Sequence, residues 1–207
     1  MLKFSAMNEG VFSKPPAHEH IANWLGMAMV QRLLDYVQMR RDAFKTSGVG
    51  YGDSRRIDLD LRRSSKLQEF GELEDELRAR AQTALPILFQ QLGTTPFQPQ
   101  EFELEIVAHG DGAFYGRHRG SYVQASTTNR RVVSAVYYFH RSPKSFSGGA
   151  LRLYSFEASE ERGTFVDIEP TNNTLVFFPS WFPHEPVVCP SGRFEDSRFA
   201  INCWVHR

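Results

Sequence analysis

Between about Pro16 and Phe44 apolar residues recur at intervals of three and four: Ile21, Trp24, Leu25, Met29, Leu33, Leu34, Tyr36 and Val37. That spacing predicts an amphipathic helix with a charged outer face. A second helix is predicted from about Lys66 to Leu92, with Leu67, Phe70, Leu73, Leu77, Ala81, Leu85, Ile87 and Leu88 turned inward. Pro86 should kink or split it, because proline removes a backbone donor and crowds the preceding turn. The glycine-rich TSGVGYGDS (46–54) reads as a loop between the two. Beyond residue 100 the period becomes two. EFELEIVA (101–108), RRVVSAVYYF (130–139), GGALRLY (148–154), GTFVDIEP (163–170), NTLVFFP (173–179), HEPVVC (184–189) and RFAINCWV (198–205) read as strands. Helices followed by many short strands predict an α+β chain, and a double-stranded β-helix, or jelly roll, faced by the two helices is the expected architecture. One domain is expected over 1–207, helical to about 95 and jelly roll from about 100.

Composition narrows the function. The 207 residues carry 24 Lys and Arg against 24 Asp and Glu. Zero net charge argues against a nucleic-acid polymer as partner. No run approaches the ~18 apolar residues of a membrane span. The opening MLKFSAMNEG lacks the basic-then-apolar layout of a signal peptide. Cys189 and Cys203 form neither a disulfide framework nor a zinc spacing, so a reducing cytoplasm is the expected location. Oligomeric state is not readable from the sequence.

Three residues of the β half carry candidate chemistry. His118 lies on a short strand after the turn HGDGAF, His184 follows FFPSWFP where a strand emerges, and Arg198 opens the final strand. Asp111, in GDG, reads as a turn former rather than a ligand. Glu185 should point to the strand face opposite His184. His18 and His20, near the expected helix start, read as surface residues. His109 stands just before the turn, close in sequence to the pocket. SGGALRLY lacks the lysine and following helix of a phosphate loop.

GDGAFYGRH, VVSAVYYF, SGGALRLY, FVDIEP, NTLVFFPSWFPHEP and RFAINCW occur in an order and spacing that resemble the iron(II)- and 2-oxoglutarate-dependent oxygenases of the prolyl-hydroxylase-like branch. The resemblance is close over roughly 100–207 and loose over the helices. It implies Fe(II), 2-oxoglutarate and O₂ as cofactors, with His118 and His184 as metal ligands and Arg198 gripping the 2-oxoglutarate. Tyr138 would add a hydrogen bond to the same carboxylate. Asn202, four residues beyond Arg198 and on the same strand face, could reach metal-bound oxygen atoms. Physical chemistry agrees with this assignment: two imidazoles and one carboxylate suit a non-haem iron with open positions, and an Arg fork suits a carboxylate.

The sequence departs from the family at one point. The family has His-x-Asp; here the run is His118-Arg119-Gly120. Alternation turns His118 and Gly120 inward and Arg119 away. Losing a unit charge beside a dication forfeits on the order of 10 kcal/mol even at an effective dielectric near ~20, which favours a small anion in the vacancy. The aliphatic halogenases of the superfamily carry Gly or Ala at this place and bind halide there. The resemblance therefore implies a halogenase chlorinating an unactivated C–H bond of a small metabolite in biosynthesis, with chloride or bromide at Gly120. Two other readings stand beside it: a hydroxylase, native or altered from Asp to Gly at 120, and a non-catalytic jelly-roll binding scaffold.

For the substrate, GDSRRIDLDLRRSSKL (52–67) offers Arg55, Arg56, Arg62 and Arg63. These would suit an anionic small molecule, an amino-acid carboxylate or a nucleotide phosphate. A solvated charged face neutralised by Asp58 and Asp60 is the plain alternative. Tyr115 is expected at the pocket mouth and Tyr122 in another wall.

Overall fold

The computed structural model describes residues 14–50, 56–110, 112–120, 131–156, 164–187 and 192–207. In chain order the elements are β1 (Glu19–Ala22), α1 (Met27–Met39), β2 (Lys45–Thr46), β3 (Arg62–Arg63), β4 (Ser65–Leu67), α2 (Leu73–Gln91), β5 (Glu101–His109), β6 (Phe114–Tyr115) and β7 (His118–Arg119). They continue with β8 (Arg131–Phe139), β9 (Leu151–Tyr154), β10 (Phe165–Ile168), β11 (Thr174–Pro179), β12 (Pro183–Pro186) and β13 (Arg198–His206). A seven-stranded sheet runs β1-β11-β8-β13-β5-β4-β2, a four-stranded sheet runs β10-β9-β12-β7, and β3 pairs with β6. The expected α+β jelly roll is present.

Strand alternation divides the interior in two. On β8 and β13, Val133, Ala135, Tyr137, Phe139, Phe199, Ile201, Cys203 and Val205 face the helices and join Leu33, Val37, Leu77 and Leu88 in the main core. The intervening Tyr138 and Ala200 meet Leu151, Leu153, Val176 and Phe178 between the two sheets. One side of the large sheet is thus glued to helices. Its other side lines the space in which polar groups collect.

Both helices are shorter than the periodicity suggests. Residues 19–22 pair with β11, and Asn23 and Gly26 adopt left-handed backbone (φ 54° and 80°), so α1 starts only at Met27. His18 therefore precedes an edge strand and His20 lies within it, not at a helix start. Asn173 holds this junction: its carbonyl accepts from Trp24 N–H at 3.2 Å, and its Oδ1 accepts from the Leu25 N–H and the Tyr137 hydroxyl. Likewise Ser65–Leu67 is a strand on β5, Gly71 takes φ 53°, and α2 begins at Leu73. Helix α2 runs through Pro86 without splitting, because Leu85, Leu88 and Phe89 bury its last turns in the core and offset the lost backbone bond. Ile87, expected inward, is exposed. Among the described residues no helix is long and apolar enough to cross a membrane.

Leu33 is fully buried at the helix–sheet contact whereas Met39 on the same helix is 78% exposed. Leu33→Ala should lower the urea-unfolding free energy by about 2–5 kcal/mol. Met39→Ala should change it by less than about 0.5 kcal/mol.

Candidate active site

Register brings the two candidate ligands together. Strand β7 pairs antiparallel with β12 so that His118 lies directly opposite His184. Directly paired residues share a sheet face, and the ring centroids are 4.3 Å apart. Each Nδ1 is fixed by a carbonyl two residues earlier in sequence: His118 on Gly116 O at 3.0 Å, His184 on Phe182 O at 2.9 Å. A carbonyl only accepts, so each Nδ1 carries the proton and each Nε2 keeps its lone pair. Burial, reinforced by the neighbouring His184, holds the His118 pKa well below its usual value. Burial brings that of His184 down to about 4. Both rings are therefore neutral near pH 7, as a metal ligand must be.

The cavity behind them, about 60 Å³, is lined by Tyr138, Arg198, His109, Asn202 and both histidines. That is several times the space one water needs. Arg198 is only 2% exposed and lies over the Tyr138 ring, its guanidinium carbon 5.2 Å from the centroid. Among the described residues it has no ion-pair partner, and its Nε and the Tyr138 hydroxyl lack hydrogen-bond partners. Leaving such groups unpaired is costly, and a carboxylate would satisfy both. His109, paired with Arg198 in register, adds two unpartnered ring nitrogens at the same end. These orphaned donors fit the far carboxylate of a 2-oxo acid, and the two Nε2 lone pairs fit a divalent metal.

At Gly120, two residues beyond His118, there is no side chain. Among the described residues no group of three His, Cys, Asp or Glu could hold a metal. A Cβ built on Gly120 would stand 3.0 Å from Ser134 Oγ, 3.1 Å from the Ser180 carbonyl and 3.6 Å from His184 Cε1. Gly120 N–H donates to that same carbonyl at 2.9 Å, and the Ser134 hydroxyl donates to the Ser180 hydroxyl. The carbonyl of Gly120 accepts from Arg131 at 3.3 Å. The backbone is packed closely around a residue with no side chain. Arg119 is exposed, with its guanidinium over Phe156, as the alternation requires.

Other candidates divide. Tyr115 stacks on His118 at 3.5 Å and carries Arg62 over its ring at 4.6 Å, so both belong to the site. Arg63 lies over Phe114 and donates to Leu59 O. Arg56 pairs with Asp58 and borders a separate groove with Arg40 and Lys45. Arg55, Tyr122 and Asp111 lie outside the described residues. Glu185 takes the Tyr154 hydroxyl bond, away from the metal face. Asn202 lines the cavity with the two histidines, and its amide donates to Glu105 at 3.2 Å.

Sequence reasoning missed Glu105, Lys66, Arg131 and Ser134. The signal was available in EFELEIVA, where Glu103 and Glu105 occupy the inward positions of a strand whose other face is apolar. A polar row there means a polar interior. Glu103 is held by Arg131 through two bonds and by His206 at 3.0 Å. Burial alone would raise its pKa, but the bonds to His206 and Arg131 bring it down to about 2.

The comparisons with known proteins agree with this geometry. Residues 104–206 match the 2OG-Fe(II) oxygenase superfamily. An uncharacterized PKHD-type hydroxylase of Synechocystis is 40% identical over 146 residues, a match that takes in 68% of this chain. It takes in 48% of that protein, so the chain spans about half the length of the relative. A Pseudomonas putida prolyl-4-hydroxylase aligns with TM-score 0.67 and 26% identity, covering 93% of this chain and 94% of that one. A Trichoplax adhaerens prolyl hydroxylase, solved with a hypoxia inducible factor peptide fragment, shares the fold at TM-score 0.68 and 20% identity over 91% of this chain and 83% of its own.

Two expectations follow from the site. Gly120→Ala should cost about 1–2 kcal/mol by overpacking, and part should return in Gly120→Ala/Ser134→Ala, measured by denaturant unfolding. Glu103, with its folded pKa depressed from 4.5 to about 2, contributes stability that is present above about pH 4.5 and lost as pH falls towards 2. After discounting for its partial exposure the loss is about 1–2 kcal/mol. Glu103→Gln should flatten that acid limb in urea-unfolding curves.

The neutral histidine pair, the buried arginine waiting for a carboxylate and these matches lead to one conclusion: the chain belongs to the 2OG-Fe(II) oxygenase superfamily, in its prolyl-hydroxylase-like branch, whose members imply Fe(II), 2-oxoglutarate and O₂.

Proposed function

We propose that the protein oxidises an unactivated C–H bond of a small molecule and installs a halogen there, with halide filling the ligand position that glycine at 120 leaves without a carboxylate. The observation that carries this reading is the pairing of two buried, neutral imidazoles with a glycine around which Ser134 and Ser180 are closely packed. Such packing supports a glycine built into the site over one left by the loss of a carboxylate.

In this reading His118 and His184 hold iron through Nε2. Arg198 and Tyr138 hold the far carboxylate of 2-oxoglutarate, with His109 beside them. When bound, iron and the 2-oxo acid supply the oxidising power that removes hydrogen from carbon. The reaction balances as substrate C–H, halide, a proton, O₂ and 2-oxoglutarate giving C–halogen, succinate, CO₂ and water. The chain's own contribution is positional. The Gly116 and Phe182 carbonyls fix the imidazole tautomers, a constraint of the kind that orients metal ligands elsewhere. Arg131, held by Glu103, steadies the Gly120 carbonyl. The absence of a side chain at 120 keeps one face of the histidine pair clear.

Hydroxylation, with water in the same position, is the second reading, and the relatives named as hydroxylases favour it. It balances without halide or proton: C–H, O₂ and 2-oxoglutarate give C–OH, succinate and CO₂.

The test is anaerobic. Fe(II) and 2-oxoglutarate are added to metal-free protein, and the visible charge-transfer band is followed while chloride is titrated. A band that shifts saturably with chloride supports halogenation. A band indifferent to chloride gives the site to hydroxylation. In Arg198→Gln the band should need at least about tenfold more 2-oxoglutarate, since a bond to a charged group is lost; no band in the wild type would leave only a binding scaffold.

A further inference from the structure

A second cavity of about 270 Å³ adjoins His118 and Gly120. It shares Arg62, Glu105, Tyr115, His118 and Trp204 with the inner one. Three cationic side chains face it, Arg62, Lys66 and Arg131, against two carboxylates, Glu103 and Glu105, while Arg119 borders it with its guanidinium turned over Phe156. The wall carries an excess of positive charge.

The excess is concentrated in one buried cluster. Arg62 and Lys66 are each 8% exposed, and both pair with the single carboxylate of Glu105, itself 5% exposed. Glu105 is engaged on both oxygens: Oε2 accepts from Lys66 at 3.0 Å, and Oε1 accepts from Arg62 at 3.4 Å and from Asn202 at 3.2 Å. Arg62 is committed as well, through Nε to Ser64, and through its two terminal nitrogens to Gly48 O and Glu105. Lys66 is not. Among the described residues its ammonium makes one hydrogen bond out of three, while lining the cavity. Buried cations are stable only when paired and hydrogen-bonded. Two cations sharing one carboxylate leave a positive charge in a site of low dielectric, where a ligand anion is its natural counterpart.

We infer that the outer cavity takes a small substrate through an anionic group, a carboxylate or a phosphate, seated on Lys66 and Arg62 beside Glu105. The substrate's reacting end then lies towards the Gly120 side of the histidines. Glu105 neutralises part of their charge until the substrate arrives and so competes with it for the same two cations. That these contacts serve a substrate rests on the oxidative reading above; that the cavity binds an anion does not.

The experiment separates the two. Inorganic phosphate and acetate are titrated calorimetrically into metal-free protein, wild type and the variants Lys66→Gln, Glu105→Gln and Arg198→Gln, each checked for cooperative melting. The wild type should show an anion site that Arg198→Gln retains. Losing a charged hydrogen-bond donor in Lys66→Gln should weaken it by at least about tenfold. Removing the competing carboxylate in Glu105→Gln should tighten it by a similar factor. Stronger binding of phosphate assigns a phosphate ester as substrate, and stronger binding of acetate a carboxylic acid. The inference is overturned if neither anion binds, if the only site is the one Arg198→Gln abolishes, or if Lys66→Gln binds like the wild type. Should Lys66→Gln not fold, Glu105→Gln decides: unchanged or weaker binding sinks the proposal. No iron is used, so a failed chloride titration and a failed anion titration are separate results.

Discussion

The registration of β7 against β12 governs the chemistry of this molecule. Placing His118 opposite His184 puts two imidazoles on one sheet face. A slip of one residue would turn one of them away and bring Arg119 or Glu185 towards the pocket instead. Two residues suffice for β7 because its neighbours hold it: Gly120 N–H on Ser180 O, Gly116 N–H on Leu61 O, and Tyr115 stacked on the His118 ring. The stack continues to Arg62, so the imidazole face and the charged cluster are one mechanical unit.

The large sheet supplies the rest through its pleat. Odd-numbered residues of β13 bury themselves under the helices, and even-numbered ones deliver Arg198, Asn202 and Trp204 to the cavities. The apolar half stabilises the fold by burial. That stability supports the cost of a desolvated arginine, a desolvated lysine and a third imidazole with no protein partner. A site of this kind stores its binding potential as unsatisfied groups. The strands hold Arg198, Tyr138 and His109 together with polar atoms unpaired, so little reorganisation is needed for a ligand to meet them.

The β half was legible because strand alternation and short flanking motifs are local properties. His118, His184, Arg198 and Tyr138 could be placed on faces by counting in twos. The helices were legible as amphipathic segments, but their starts were not. The left-handed backbone of Asn23 and Gly26, and the pairing of Ser65–Leu67 on β5, are tertiary events that the apolar spacing does not encode. Arginines 55, 56, 62 and 63 look alike in sequence. Among the three described, only Arg62 faces inward, because β3 pairs with β6 and turns that one residue towards Glu105. Lys66 escaped notice for the same reason: as a helical residue it would be solvated, and as a strand residue it is buried.

Gly120 links these threads. A side chain there would press on Ser134 and Ser180, residues that belong to β8 and to the turn after β11. The identity of residue 120 is therefore coupled to the packing of two other segments. An aspartate at 120 needs those segments to give by a few tenths of an ångström, besides having a metal to bind. Close packing resists such shifts. Arg131 adds a second restraint, since it grips the Gly120 carbonyl while bound to Glu103 and stacked on Trp204 at 3.9 Å. The small residue, the hydroxyl pair behind it and the arginine beside it form one arrangement. In it no third His, Cys, Asp or Glu among the described residues joins the two imidazoles, and basic side chains outnumber acidic ones in the adjoining cavity.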